Sequence, residues 1–205
     1  MGTVLRLERP VERLRGALSA RGILISHEEA VHALGAEIRE YRAHHLDGRD
    51  TASVTALRLR CADALRAALA HELDQERAYQ VLMGMLRFSV LPGTVEALGR
   101  LRAAGIQIAV VSNWDASLEA TMLAVGLRAH VDAVVSSAQV GAAKPDPAPL
   151  VRGLELLGAT AERAVMIGDD RVDAEAAQAL GIPCALVETA GGIADVVDEL
   201  LAIPA

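Results

Sequence analysis

Aromatic side chains are nearly absent from this chain: one Phe, one Trp and two Tyr in 205 residues. Any core must therefore be built from Leu, Val, Ile and Ala, and an apolar fraction of 52% supplies one of good size. Cysteine is as scarce. Cys61 and Cys184 are too few for a disulfide framework, and fit a reducing cytoplasm, the expected location. No apolar run approaches the ~20 residues that span a bilayer. Arg6, Glu8 and Arg9 interrupt the start, where a signal peptide would need an apolar stretch. Excess positive charge is lacking too. A net charge of −7 argues against a nucleic-acid surface and against an anionic membrane surface. Rarest of all is lysine. Of 20 basic residues all but Lys144 are arginine, so a compact ammonium stands at one place where the chain otherwise uses a planar fork.

What the chain does have is a sharp stop at Val165-Met166-Ile167-Gly168-Asp169-Asp170, with Asp173 three residues on. An apolar run ending in glycine and carboxylates reads as a buried strand that turns into a helix at a sheet edge. Ligands of open α/β sheets sit at such carboxyl ends. Adjacent carboxylates repel unless a cation or proton compensates them, and hard oxygen donors suit Mg²⁺. A helix N-cap is the plainer reading, since Asp accepts bonds from free N–H groups; a pair plus Asp173 exceeds what capping needs.

Periodicity divides the rest. Residues 10–88 read as all-helical: Pro10 opens a helix, Ser26-His27-Glu28-Glu29 has capping-box spacing, and Asp74 caps a fourth helix. From residue 89 the pattern alternates. Helices are expected over 94–104, 115–125, 148–157 and 173–180, and from 193, with strands over 106–111, 131–135, 164–167 and 182–187. Such alternation implies right-handed crossovers and a doubly wound parallel sheet, an α/β fold. Three polar strand ends or loops would then share one edge: Ser112-Asn113, Lys144, and Asp169-Asp170-Asp173. A hydroxyl, an ammonium and a carboxylate cluster make a receptacle for a phosphoryl group, whose transfer is catalysed mainly by positioning and charge stabilisation. Lesser candidates are His44-His45 beside Asp47, Trp114 at a site mouth or under a helix, and Arg171 on an anion or in solvent. Cys61 and Cys184 read as small core residues.

Through Leu91-Pro92-Gly93, Val111-Ser112-Asn113, Lys144-Pro145-Asp146-Pro147 and Ile167-Gly168-Asp169-Asp170, the chain resembles the haloacid dehalogenase superfamily of hydrolases. The resemblance implies a Rossmann-like core over 89–205 with residues 10–88 as its helical cap. It implies that Ser112 and Asn113 hold a phosphoryl group, that Lys144 steadies it, and that Asp169 with Asp170 or Asp173 binds Mg²⁺. Its implied substrate is a small phosphorylated metabolite, cleaved through an aspartyl-phosphate.

Residues 1–9 match only the tail of the family's first motif, Asp-x-Asp-Gly-Thr, at Gly2-Thr3. Its nucleophilic Asp would lie two residues before Met1, on a strand in the middle of the sheet, and Met1 stands where the second Asp belongs. Two expectations follow: a longer form supplies the nucleophile, or the chain binds phosphate esters without turnover. Dehalogenases of the family also lack the second Asp and need no metal, so a 2-haloacid dehalogenase is the alternative chemistry. A phosphorelay receiver domain would place its acidic pair first and its lysine last, the reverse of the order here.

Overall fold

The computed structural model describes residues 2–187 and 192–202. In chain order the elements are β1 (Leu5–Leu7), α1 (Pro10–Ser19), α2 (His27–His44), α3 (Thr51–Ala67), α4 (Gln75–Met85), β2 (Phe88–Val90), α5 (Thr94–Ala103), β3 (Ala109–Ser112), α6 (Leu118–Ala124), β4 (Ala133–Ser136), α7 (Ser137–Val140), α8 (Ala148–Leu157), β5 (Met166–Gly168), α9 (Arg171–Gln178), β6 (Cys184–Leu186) and α10 (Ile193–Ala202). The chain divides into two compact units, one of residues 7–88 and one of residues 1–6 with 89–205. Among the described residues no helix is long and apolar enough to cross a membrane.

The first unit is built of four helices, three of them with a side-chain N-cap. Pro10 starts α1. The Ser26 hydroxyl accepts from the Glu29 N–H at 3.0 Å, and Asp74 accepts from Arg77 N–H at 2.8 Å. The Glu29 carboxylate does not complete the expected box. It takes the Ala70 N–H at 3.3 Å instead. Buried residues recur at helical spacing: Ala30, Ala33, Leu34 and Glu37 on α2, and Ala78, Val81, Leu82 and Met85 on α4. With Leu14, Leu18, Leu57, Cys61 and Leu65 they form one core without an aromatic ring at its centre. Each fully buried leucine contributes roughly 1.5–3 kcal/mol.

The second unit is α/β. Strand β3 pairs in parallel with β4, Ala109 opposite Ala133 through Ser112 opposite Ser136. Strand β5 pairs in parallel with β6, Met166 opposite Cys184 through Gly168 opposite Leu186. Helix α8 packs on β3 and β4, and α9 on β5 and β6. Gly153 lets α8 approach closely, since a Cβ there would lie 3.1 Å from Val111 Cγ2. Leu150, Ala176, Ala177 and Ile182 then form a core cluster that also takes in Val111 and Met166.

The parallel α/β architecture is present as two parallel pairs, β3–β4 and β5–β6, with β1–β2 a third two-stranded sheet among the described residues. Among the described residues β3 and β5 each pair with one strand. Strand β3 is half-buried along its length, and Ile106 and Val165, where a buried run was expected, lie ahead of the ladders and are each 43% exposed. Strands β1 and β2 were not foreseen; the Leu91 N–H donates to the Val4 carbonyl at 3.0 Å beside them. Neither strand exceeds three residues, too short for an alternating pattern to register.

Candidate active site

Lys144 follows the left-handed turn at Gly141 (φ 85°) that ends α7. Its side chain is 7% exposed, and its Nζ donates to the Val111 carbonyl at 2.9 Å and to Asp173 Oδ1 at 2.5 Å. The end of β3 and the start of α9 are thus brought within reach of one ammonium. The other Asp173 oxygen, Oδ2, accepts the N–H groups of Asp169 and Asp170, both at 3.1 Å. A carboxylate at the third position of a helix is well placed for this, because the first N–H groups lack intrahelical partners. Gly168 is required by the close approach: a Cβ there would lie 2.4 Å from Asp173 Cβ and 2.6 Å from its Oδ2.

Asp169 and Asp170 are exposed at the carboxyl end of β5. Thr3 donates its hydroxyl to Asp169 Oδ1 at 2.7 Å. Gly2 lies so near that a Cβ would be 2.3 Å from Asp169 Oδ2. Asp170 is the N-cap of α9 and forms a capping box with Asp173. Ser112 ends β3, half-buried, and its hydroxyl has no hydrogen-bond partner among the described residues. The Asn113 side chain, expected on the phosphoryl group, is engaged with Lys144 instead. Its Nδ2 donates to the Lys144 carbonyl and its Oδ1 accepts the Lys144 N–H, each at 2.8 Å.

The carboxylates divide into two kinds. Both oxygens of Asp173 are taken by an ammonium and two backbone N–H groups, so the expectation that it ligates a metal does not fit. Among the described residues no group of three His, Cys, Asp or Glu side chains is arranged to hold a metal ion. Asp169 and Asp170 remain as adjacent exposed oxygen donors. That set fits Mg²⁺, which is usually bound by one or two carboxylates, with water and substrate phosphate completing its shell.

Trp114 is 3% exposed and donates from Nε1 to Ser117 Oγ at 3.3 Å, so it is packed inside and not at a mouth. The Arg171 side chain is 88% exposed and pairs with Glu175. His44 pairs with Glu40 and Asp47 in the helical unit. Cys61 is fully buried. Cys184 is half-buried, and burial first, then the Asp173 carboxylate, push its thiol upward. Sequence reasoning missed three contributors: Thr3 as a donor to Asp169, the Val111 carbonyl, and Ser137. The hydroxyl of Ser137, a fully buried residue, accepts the Trp114 N–H at 3.0 Å. Thr3 could have been found, because Gly2-Thr3 stands out as a motif tail; the other two depend on tertiary neighbours.

A family model for haloacid dehalogenase-like hydrolases matches residues 2–181. A phosphoglycolate phosphatase of Cupriavidus necator is 37% identical over 127 residues, covering 57% of this chain and 55% of that protein. One from Rhodospirillum rubrum is 36% identical over 146 residues, covering 71% of this chain and 56% of that protein. The chain therefore spans about half the length of the curated relatives it matches. Two solved structures share the fold. An L-2-haloacid dehalogenase from Xanthobacter autotrophicus superposes with a TM-score of 0.69 at 21% identity, covering 100% of this chain and 81% of that one. A phosphatase from Thermococcus onnurineus gives 0.62 at 20% identity, covering 98% and 94%.

Proposed function

Because the chain belongs to the haloacid dehalogenase-like hydrolases, we propose that its site serves Mg²⁺-dependent hydrolysis of a small phosphomonoester. The observation that carries this reading is the fixed ammonium of Lys144 beside Val111, one residue from the Ser112 hydroxyl. Two donors of different kinds at the end of one strand suit the charge-rich equatorial oxygens of a transferring phosphoryl group. In this reading Ser112 orients those oxygens and Lys144 neutralises them. Asp173 holds Lys144 in place, and Asp169 with Asp170 would hold the metal. Bound there, Mg²⁺ would offset phosphoryl charge that the single ammonium leaves uncompensated. The two relatives named as phosphoglycolate phosphatases support a small phosphorylated carboxylic acid as the substrate class.

In this reading the attacking carboxylate is the first Asp of the motif whose tail is Gly2-Thr3, supplied by a segment ahead of Gly2. The seat of Gly2-Thr3 on Asp169 supports placing that motif at the site. Attack on phosphorus expels the alcohol and leaves an acyl phosphate, which water hydrolyses to regenerate the carboxylate. In this reading residues 10–88 act as the cap that selects substrate, and the cytoplasm is the compartment.

Phosphoglycolate hydrolysis by a form extended to include that segment tests the reading. Activity should vanish with chelator and return with Mg²⁺; chelator-resistant turnover would refute it. The engagement of Asp173 by Lys144 favours a second reading, 2-haloacid dehalogenation, which needs no metal. Halide release from a 2-haloacid in the presence of chelator would establish that alternative. Stoichiometric binding of phosphoglycolate without turnover by the extended form would indicate a non-catalytic role.

A further inference from the structure

Lys144 is held at both ends by a single short stretch of chain. Its ammonium reaches the Val111 carbonyl, and its own peptide N–H and carbonyl are both bound by the Asn113 side chain. Ser112 lies between these two anchors. The amide orientation is fixed by chemistry, because reversing it would set donor against donor and acceptor against acceptor. Neither bond is replaceable locally. Pro145 follows Lys144 and brings no N–H, and a part-buried peptide group without a partner is strongly disfavoured. A lysine has a flexible four-carbon stem, so where its ammonium rests depends on where its root is fixed.

We infer that Asn113 is a positioning residue: by clamping the Lys144 backbone to the end of β3, it fixes the ammonium relative to the Ser112 hydroxyl. This deepens the phosphoryl-site reading and rests on it for what the lysine does, but not for where the lysine is held. The side chain of Asn113 is then a brace and not a phosphoryl ligand.

The composition supplies the test. Because Lys144 is the only lysine, the full chain grown with ¹³C,¹⁵N-lysine gives one set of side-chain signals. In the unaltered protein the Cε–Hε line should be single and displaced from that of free lysine. Asn113→Ala should remove more than half of that displacement or split the line. Asn113→Asp, which keeps an acceptor for the Lys144 N–H and loses the donor to its carbonyl, should fall between. Ser137→Ala removes the hydroxyl that bridges the Trp114 N–H and carbonyl in the same loop, and should leave the line in place. An unmoved line in Asn113→Ala overturns the inference, as does an equal shift in Ser137→Ala, which would mean general loosening. Should Asn113→Ala fail to fold, an unmoved line in Asn113→Asp overturns it. Inorganic phosphate added with Mg²⁺ separates the two readings: if it leaves the unaltered line unmoved while Asn113→Ala displaces it, the phosphoryl reading falls and the brace stands.

Discussion

Each unit buries an acid and a base, and the two do so on different terms. In the α/β unit Asp173 sits at the start of a helix, where two unclaimed N–H groups and the Lys144 ammonium converge on its oxygens. In the helical unit Glu37 lies inside α2, 4% exposed, where backbone N–H groups are already spent on the helix. It has Arg58, 8% exposed on α3, and Cys61 as neighbours. Burial outweighs the favourable Arg58 charge and pushes the Glu37 carboxyl up to about 7. The same two ingredients give a satisfied pair at a helix terminus and a strained acid in a helix interior. What decides between them is the supply of free backbone donors.

The largest expected effect comes from breaking the satisfied pair. Lys144→Met should destabilise the chain by roughly 3–5 kcal/mol in urea unfolding, because it leaves the Asp173 charge buried without its cation. In the extended form it should also lower phosphomonoester turnover at least ~100-fold, the usual loss for a missing charge-stabilising group. Asp169→Asn should match the turnover loss at little cost in stability, since Asp169 is exposed. A stability loss as large as that of Lys144→Met would contradict the division of the carboxylates.

Next in size is a pH effect confined to the helical unit. The Glu37 pKa is raised in the folded state, from 4.5 to about 7. Below its unfolded value both states hold the proton and folding bears no penalty. As pH rises from 4.5 the unfolded state ionises while the buried group keeps its proton, so stability falls until the loss is complete above about 7. Melting followed by helix signal should therefore show a lower Tm at pH 8 than at pH 5, by an amount worth up to about 3 kcal/mol. Glu37→Gln should flatten that component; an unchanged slope would show that other groups set it. The smallest effect is expected from Ser26→Ala, which removes the α2 cap and should cost about 1 kcal/mol by urea unfolding.

How far the sequence could be read follows the same logic of local and distant donors. The caps at Ser26 and Asp74 were legible because each side chain acts within its own helical turn. Helix α8 was placed from Ala148 to Leu157, where proline enters and Gly158 leaves. Strands slid. Apolar runs predicted starts at Ile106 and Ala164, whereas ladders begin at Ala109 and Met166, because apolar character continues into residues that are neither paired nor covered, Ile106 and Val165 among them. Ser112, Lys144 and Asp169 stood out as chemistry-bearing residues at strand ends or in loops. The spending of Asp173 on Lys144, and of Asn113 on a backbone 31 positions away, was not visible, since neither leaves a mark in local spacing.

The buried lysine also sets how the folded protein meets electrophiles. An acylating reagent needs the nitrogen in the open, and Lys144 does not present it while Asp173 and the Val111 carbonyl hold it. Acylation there must wait for the α/β unit to open at this corner. Its rate, divided by that of an unfolded lysine, is a direct reading of the local opening equilibrium, and no second lysine exists to confuse it.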